Sequence, residues 1–466
     1  MFSGRQRELQ ELDRYYREKS FHFAVFYGRR RVGKTTLINK FRENKKSVYF
    51  AAAETTAKEN LELLSVQILS NLAPGAPQNA FSSFSGAFEY CFKAAEKERL
   101  ILVIDEYPYL AESDRAVSSL LQALIDKYKD TSGLFLILCG SSMSFMENQV
   151  LGYKSPLYGR RSCQFKIIPF FYHECAEMLS TFKNEERITL YGICGGIPEY
   201  LSRINKSLSV QQNAEALFFN PSGRLFEEPA NLLKQELRGP QTYNGIITAI
   251  AHGASRVNDI ASKAGIMTSQ CSNMLQTLIG LGIVKKEYPV GVNSGVSRKT
   301  IYSLADSMFR FWYRFVMPEL SRISMGFGKT VCDEIFGKQD GKIEAFTGPV
   351  FEECAAQFLW REMSKGKYSF QTIGRWWGPN PKEKKEEEID FIAADGNRNA
   401  LFVECKWKNT KTGKETLEDL IRKSDIIPGF STRRYILFSK AGFTAELTKI
   451  ASARKDTDLI SLAEMY

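Results

Sequence analysis

The 466-residue sequence has no long apolar run, and this absence excludes a membrane-spanning helix. Its longer apolar runs, such as residues 100–104 and 134–139, are far shorter than the ~18 residues that such a helix needs. Charged residues stand near the N-terminus, where a signal peptide would have its apolar region. We therefore expect a cytoplasmic protein that does not associate with membranes.

Histidine is scarce and the cysteines are unpaired in sequence. The only three histidines, His22, His173 and His252, are far apart, which argues against a histidine metal site or a Ser-His-Asp triad. The nine cysteines include no C-x-x-C pair, so neither a disulfide framework nor a zinc cluster is predicted.

The composition is that of a folded protein with several domains. Apolar residues make up 44% and charged residues 25% of the chain, and at about 150 residues per domain the length predicts roughly three domains. Lys and Arg outnumber Asp and Glu by 63 to 53, a net charge of +10. This excess suits a polyanionic partner such as DNA.

Short apolar runs alternate with helical periodicity in the first third of the chain, which predicts an α/β fold with a parallel sheet. The strands are expected at residues 22–27, 47–51, 100–104 and 134–139, with helices at 35–43, 57–71 and 116–129. The predicted domains are an α/β core (1–170), a helical lid (171–239), a winged helix (240–305), a connecting helix (306–340) and a last α/β unit (341–466).

A phosphate-binding loop directly follows the first predicted strand. Residues 28–35 match G-x-x-x-x-G-K-[ST], in which the backbone curls around phosphate, Lys34 reaches the β and γ phosphates and the Thr35 hydroxyl binds Mg²⁺. Asp105 ends a later buried strand and would orient the metal, while Glu106 would activate water as general base. The predicted binding residues for ATP or GTP are Gly28, Arg29, Arg30, Arg31, Val32, Gly33, Lys34, Thr35, Thr36, Asp105 and Ser141.

Three assignments around this loop have alternatives. Ser141 would sense the γ phosphate or cap the next helix. Arg160, or its neighbour Arg161, would supply charge to the transition state, in cis or from a second copy of the chain, or would form a surface salt bridge. The three arginines of the loop would touch phosphate or remain solvated.

Together these motifs resemble the archaeal-type P-loop ATPases of the AAA+/STAND group. The resemblance implies adenine nucleotide and ATPase chemistry, with a lid element after the nucleotide domain. The matching blocks are Phe2-x-Gly4-Arg5-x-x-Glu8-Leu9, the P-loop, Ile104-Asp105-Glu106, Gly140-Ser141-Ser142, Leu157-Tyr158-Gly159-Arg160-Arg161 and Gly195-Gly196-Ile197-Pro198-x-Tyr200-Leu201.

Residues 240–305 have the pattern of a DNA-binding winged helix. Three helical stretches precede two strand-like runs, at 283–289 and 299–304, which a turn rich in Gly, Asn and Ser (291–297) joins. Basic residues outnumber acidic ones here by six (Arg256, Lys263, Lys285, Lys286, Arg298, Lys299) to two (Asp259, Glu287), an excess that favours DNA. The alternative is a module that only packs against the lid.

A second acidic site is predicted near the C-terminus. In a strand, Glu404 and Lys406 share one face, which we expect to be charged, while Val403 and Cys405 face a core. Asp390 and Glu404 would hold Mg²⁺ over a phosphate, and Lys406 would position hydroxide or offset developing charge. The alternative is a half-exposed strand whose charges are solvated or paired.

This pattern resembles the D…E-x-K site of the restriction-endonuclease-like superfamily. The resemblance implies an α/β domain with a further acid on its first helix, which fits Glu352 best and Glu353 second.

The leading hypothesis is an ATPase whose nucleotide state positions a winged helix and a Mg²⁺-dependent nuclease domain on DNA. Two alternatives remain: a nucleotide-gated switch or scaffold without cleavage, and a chaperone-like ATPase that binds no DNA.

Overall fold

The computed structural model describes residues 2–75, 79–291, 299–337, 341–380 and 383–466. It divides into two compact units, residues 1–169 with 197–199, and residues 170–196 with 200–466. No helix within the described ranges is long and apolar enough to cross a membrane.

The first unit contains a parallel five-stranded sheet. Its strands are β1 (His22–Tyr27), β2 (Ser47–Ala51), β3 (Leu100–Asp105), β4 (Leu134–Gly140) and β5 (Cys163–Lys166). Its helices are α1 (Gln6–Arg17), α2 (Lys34–Arg42), α3 (Ala57–Leu72), α4 (Phe84–Lys97), α5 (Tyr107–Ser113), α6 (Val117–Tyr128) and α7 (Met143–Phe145), which a π-helical turn at Met146–Val150 follows. The predicted α/β fold with a parallel sheet is confirmed.

Strand order places the predicted nucleotide residues at one edge of this sheet. The order is β2-β3-β4-β1-β5, and every residue of β1, β3 and β4 is buried, as expected for strands that helices cover on both faces. The carboxyl ends of β1, β3 and β4 therefore meet, and in open α/β sheets ligands bind at that edge.

Several elements of this unit are absent from the sequence prediction, namely α1, α4, α5, α7 and β5. β5 has only four residues, in which half-buried and exposed side chains alternate, so it lacks the apolar run that marks the other strands. Helix α4 begins where the Ser83 side chain accepts a hydrogen bond from the backbone N–H of Gly86, a normal N-cap.

The second unit begins with helices, of which α9 starts in the first unit. They are α8 (Asn184–Cys194), α9 (Pro198–Leu201), α10 (Val210–Phe218), α11 (Glu228–Glu236), α12 (Pro240–Ala251), α13 (Val257–Ala264) and α14 (Thr268–Gly280). The antiparallel strands β6 (Val284–Glu287) and β7 (Ile301–Leu304) follow. Of the predicted turn, residues 292–297 lie outside the described residues, as does Arg298.

The predicted connecting helix is interrupted. Helices α15 (Ser307–Phe311) and α16 (Leu320–Arg322) are separated by π-helical and 3₁₀ turns, and α17 (Gly328–Phe336) follows a further π-helical turn. Pro318 lies in the 3₁₀ turn, where its missing N–H breaks the regular helical hydrogen bonding. The expected apolar stripe is nevertheless buried, at Phe309, Trp312, Phe315 and Val316.

A separate mixed sheet forms the C-terminal part of the second unit. Helix α18 (Lys342–Ser364) precedes β8 (Thr372–Asn380), β9 (Lys385–Ala394), β10 (Asn399–Lys406), α19 (Lys414–Ile426), β11 (Thr432–Ser439), α20 (Ala445–Ala453) and β12 (Thr457–Ser461). The strand order is β12-β11-β10-β9-β8. β10 pairs in parallel with β11 and antiparallel with β9.

The face of β10 that carries Glu404 and Lys406 is buried up to Glu404, although the sequence predicts a charged face opposite a core face. Residues 400–405 are all buried, because α18 and α19 both pack against this strand. Phe402, on the same face as Glu404, belongs to the apolar core, and Glu404 itself is only 6% exposed. The Glu404 carboxylate is therefore a buried group.

Candidate functional site

The glycines of the P-loop lie where a side chain would not fit. A Cβ atom built on Gly28 would lie 2.2 Å from the carbonyl oxygen of Ile167. Gly33 has a φ of 89° and immediately precedes α2, a conformation that non-glycine residues rarely adopt. The loop therefore runs directly from the buried end of β1 into a helix N-terminus, the arrangement that binds phosphate.

Lys34 is buried across this loop. Its Nζ donates hydrogen bonds to the carbonyl oxygens of Gly28, at 2.8 Å, and Arg29, at 3.0 Å. Burial lowers the pKa of Lys34, while nearby Asp105 and Glu106 act in the opposite direction. The ammonium group is thus held among the backbone atoms that would surround a phosphate.

Asp105, the last residue of β3, accepts hydrogen bonds from a side chain of α2 and a side chain of β2. Its Oδ2 accepts hydrogen bonds from Thr35 Oγ1, at 2.8 Å, and from the Tyr49 hydroxyl, at 2.6 Å. Burial, followed by the hydrogen bond to Asp105, raises the pKa of Tyr49, which keeps the phenol a donor. Tyr49 was not predicted from the sequence, because the pairing of β2 with β3 that brings it to Asp105 is not encoded in a local motif.

Glu106 is held by the end of the adjacent strand. Its carboxylate accepts hydrogen bonds from the Ser141 backbone N–H, at 3.2 Å, and from the Ser141 hydroxyl, at 2.8 Å to Oε2 and 3.0 Å to Oε1. The Ser141 hydroxyl thus donates to Glu106. The residue at the N-cap position of α7 is Ser142, not Ser141.

The other loop residues have varied surroundings. Val32 is buried, Thr36 is exposed, and Arg29 and Arg31 are half-buried. The half-buried Arg30 donates from Nη2 to the Tyr109 hydroxyl at 3.4 Å.

Arg5 braces the P-loop, a role that sequence analysis did not assign. Its Nη2 donates to the carbonyl oxygen of Val32 at 3.3 Å and also to that of Ile168. The side chain is buried. Its place in the opening Gly4-Arg5 motif is the sequence signal that singles it out.

Arg160 is engaged away from these groups. It forms a bidentate ion pair with Asp126, with Nε–Oδ1 at 2.9 Å and Nη2–Oδ2 at 2.7 Å. Within the described ranges, no hydrogen bond or ion pair joins Arg160 to a predicted nucleotide-binding residue. The chain itself therefore shows Arg160 in a salt bridge, and a role as arginine finger stays a prediction.

The C-terminal site brings Asp390, Glu404 and Lys406 together. Lys406 Nζ donates to Glu404 Oε1 at 2.6 Å, and the Cys405 backbone N–H donates to Asp390 Oδ2 at 2.7 Å. Glu404 Oε2 is buried without a hydrogen-bond partner in the described part of the chain. A buried carboxylate oxygen is costly to leave unpaired, and carboxylate oxygens are the donors that Mg²⁺ takes.

Glu352 lies close enough to Asp390 for their charges to interact. Burial, and then the charge of Asp390, raises the pKa of Glu352. Burial, and then the charge of Glu404, raises the pKa of Asp390. No group of three or more His, Cys, Asp or Glu side chains is arranged as a metal cage among the described residues. The donor set that fits Mg²⁺ is accordingly Asp390 with the unpartnered oxygen of Glu404.

Comparison with known families places an ATPase domain in the first part of the chain. Residues 2–204 match an ATPase domain that occurs predominantly in Archaea. Residues 312–417 match a family of archaeal and bacterial proteins of unknown function.

Individual relatives extend this likeness. The uncharacterized protein MJECL04 of Methanocaldococcus jannaschii is 32% identical over 434 residues, which cover 92% of each chain. The ATP-binding protein MJ0423 of the same organism is 54% identical over 46 residues, which cover 10% of this chain and 78% of that protein.

Among solved structures, the Walker-type ATPase PABY2304 of Pyrococcus abyssi aligns with a TM-score of 0.52 and 19% identity, over 67% of this chain and 96% of that one. At this identity the likeness shows a shared fold, and it agrees with the P-loop ATPase fold predicted from the sequence.

Proposed function

We propose that this chain, which belongs to the same family as protein MJECL04 of Methanocaldococcus jannaschii, hydrolyses ATP and couples its nucleotide state to DNA binding. Its residues 2–204 match an ATPase domain that occurs predominantly in Archaea. The observation that carries the ATPase proposal is the hydrogen bond of 2.8 Å between Thr35 Oγ1 and Asp105 Oδ2. It joins the two metal-orienting groups of a P-loop site beside the buried Lys34.

Each of these residues has a role in hydrolysis. Thr35 and Asp105 would hold Mg²⁺, which neutralises phosphate charge when it is bound with the nucleotide. Lys34 exchanges its two carbonyl partners for phosphate oxygens. Glu106 would accept the proton of the attacking water on a carboxylate oxygen that no longer accepts the hydrogen bond from the Ser141 hydroxyl. The hydrogen bond from Ser141, which directly follows β4, would therefore change with the protonation of Glu106.

Two substitutions test the nucleotide site. Lys34→Ala should weaken ATP binding by at least about 100-fold, because it removes the charge that pairs with phosphate, whereas Lys40→Ala on the exposed side of α2 should bind as the unchanged protein does. Glu106→Gln should retain ATP affinity and lose about 10²- to 10⁴-fold in hydrolysis rate. Isothermal calorimetry and phosphate release measure the two effects; unaltered ATP affinity in Lys34→Ala would contradict the site assignment.

For the DNA-binding part, α14 and the β6–β7 hairpin support a winged-helix assignment. α14 follows two helices and precedes an antiparallel hairpin, and its Ser269, Gln270 and Asn273 are exposed. Short polar side chains on such a helix can contact base edges or phosphates.

For cleavage, the supporting observation is the buried, unpartnered Oε2 of Glu404 beside Asp390. Asp390 and Glu404 would hold Mg²⁺, which would polarise a phosphodiester. Lys406, held at 2.6 Å from Glu404, would position the attacking hydroxide. Glu352 would complete the acidic side of the site.

Asp390→Asn tests this assignment against Glu386→Gln, which removes an exposed carboxylate from the same strand. We expect Asp390→Asn to abolish Mg²⁺-stimulated DNA cleavage and Glu386→Gln to retain it.

The second candidate function is a nucleotide-gated scaffold that binds DNA without cutting it. Its supporting observation is that no cage of three acidic, histidine or cysteine ligands occurs among the described residues. Wild-type DNA binding without any cleavage would favour the scaffold.

A further inference from the structure

A cavity of about 300 Å³ lies within the second unit, beside the C-terminal site. Its walls come from the β6–β7 hairpin, the segment around α15 and the first part of the C-terminal domain. Its volume is at the lower end of the range for small-ligand pockets. The charged residues of its lining are Lys285, Arg310, Arg314, Arg375, Glu287, Glu352 and Glu353, of which Glu287 pairs with Lys285 at 3.3 Å.

Two of the cavity's cations are neutralised. Arg310 forms a bidentate ion pair with Glu353, with N–O distances of 2.8 and 3.2 Å. Lys285 Nζ donates to the same carboxylate at 3.3 Å. Glu353 is therefore committed to the protein, which leaves Arg314 and Arg375 as the cations available to a ligand.

Arg314 faces the cavity without a carboxylate. No ion pair or hydrogen bond of its guanidinium group is found within the described ranges, and the group lies 5.3 Å from the centre of the Phe315 ring in a cation–π contact. Burial, and then the charge of Arg310, lowers the pKa of Arg314. Like charges this close repel each other, and an anion between them would relieve that repulsion.

The backbone of Arg375 is hydrogen-bonded to the residue that lies three positions after β6. Its carbonyl oxygen accepts a hydrogen bond of 3.0 Å from the Val290 backbone N–H. Among the described residues, its side chain has one ion pair, a long one of 3.6 Å with Glu388, which is 70% exposed. An exposed pair of this kind is weak. Arg375 also interacts electrostatically with Glu352 and Asp390.

We propose that this cavity is a phosphate-binding site, in which Arg314 and Arg375 hold a phosphate group of a nucleotide unit next to Glu352. Guanidinium groups are well suited to phosphate because their planar donors match its oxygens. The inference rests on the proposed function, since a DNA strand held here would be presented to Asp390 and Glu404. A phosphate group on a free nucleotide offers the same chemistry, and the two sources are separable by experiment.

The first arm measures the anisotropy of a fluorescein-labelled single-stranded DNA oligonucleotide in EDTA, so that cleavage does not affect the result. Arg314→Gln and Arg375→Gln should each weaken binding about 10-fold and lower the salt dependence by about one phosphate contact. The matched control is Arg322→Gln, which removes an arginine paired with Glu319 and Glu334 outside the cavity and should stay within about twofold of wild type.

The second arm adds 5′-dAMP as competitor. Displacement of the oligonucleotide from wild type, but not from Arg314→Gln, identifies a free nucleotide as a sufficient ligand; no displacement identifies the DNA strand. Either result supports the site. Unchanged oligonucleotide binding in both arginine variants, or no binding by wild type, would overturn it. If Arg375→Gln does not fold by circular dichroism, Arg314→Gln decides, because within the described ranges Arg314 has no ion pair or hydrogen bond to lose.

These outcomes separate the site from the proposed function. If wild type never cleaves DNA but Arg314→Gln weakens oligonucleotide binding, the cavity assignment stands and the nuclease proposal falls. If DNA is cleaved and both arginine variants bind as wild type does, the cavity assignment alone falls. Lys34→Ala affects ATP binding in either case.

Discussion

At the scale of single residues, the nucleotide site depends on which side chain each acid contacts. Asp105 accepts from Thr35 and Tyr49, while Glu106 accepts from Ser141. Two adjacent acids thus have separate partners, which lie in α2 and β2 for Asp105 and directly after β4 for Glu106. This division suits the two tasks proposed for them, in which Asp105 would orient the metal and Glu106 would accept a proton.

Gly28→Ala tests how tightly the P-loop is built. We expect a loss of about 2–3 kcal/mol in unfolding free energy and weaker ATP binding, because the added Cβ would lie 2.2 Å from the Ile167 carbonyl oxygen. Gly75→Ala is the control: Gly75 has a φ of +93° and no atom within 4 Å of a built Cβ, so its cost should be about 1 kcal/mol. Urea unfolding measures both; equal costs would refute a steric role for Gly28.

At the scale of elements, an ion-pair network joins three parts of the second unit. Glu353 of α18 binds Arg310 of α15 and Lys285 of β6. Arg310 and Glu353 are less than a quarter exposed at their side chains, and Lys285 is more exposed. The helix that carries Glu352 is thereby tied to the hairpin that forms a wall of the cavity.

Glu353→Gln should lower the unfolding free energy by about 2 kcal/mol, because it leaves Arg310 without its buried counter-charge. Glu334→Gln is a matched control, since Glu334 forms a bidentate but exposed pair with Arg322 and should cost less than about 1 kcal/mol. Thermal unfolding at one pH compares them. Indistinguishable melting temperatures would show that the network contributes no more than a surface pair.

At the scale of the whole molecule, the chain combines a nucleotide-binding unit with a unit that holds the proposed DNA-binding and metal sites. If ATP controls DNA binding, the two ligands must change each other's affinity by the same factor. This reciprocity is a thermodynamic requirement and does not depend on how the units are arranged.

We therefore expect a non-hydrolysable ATP analogue to change the DNA dissociation constant of wild type by about 5-fold or more. Lys34→Ala should show no change on addition of the analogue, because it does not bind the nucleotide, while Lys40→Ala should behave as wild type. Anisotropy titrations with and without analogue measure the effect. Equal dissociation constants in wild type would remove the coupling from the proposal and leave ATP binding intact.

The sequence by itself determined the local features of the protein. Strand positions such as residues 22–27 and 47–51, the P-loop and the alternation of strands with helices follow from apolar periodicity and short motifs, which depend on neighbours along the chain. The α/β fold was predictable for that reason. β5 was not, because a four-residue strand carries too little pattern.

Only the tertiary structure decided which distant side chains meet. The contacts of Tyr49 with Asp105 and of Ser141 with Glu106 depend on the strand order β2-β3-β4-β1-β5, which no local motif encodes. The burial of Glu404 likewise depends on helices covering both faces of β10. Periodicity assigns a residue to a face, but the burial of that face is set by what packs against it.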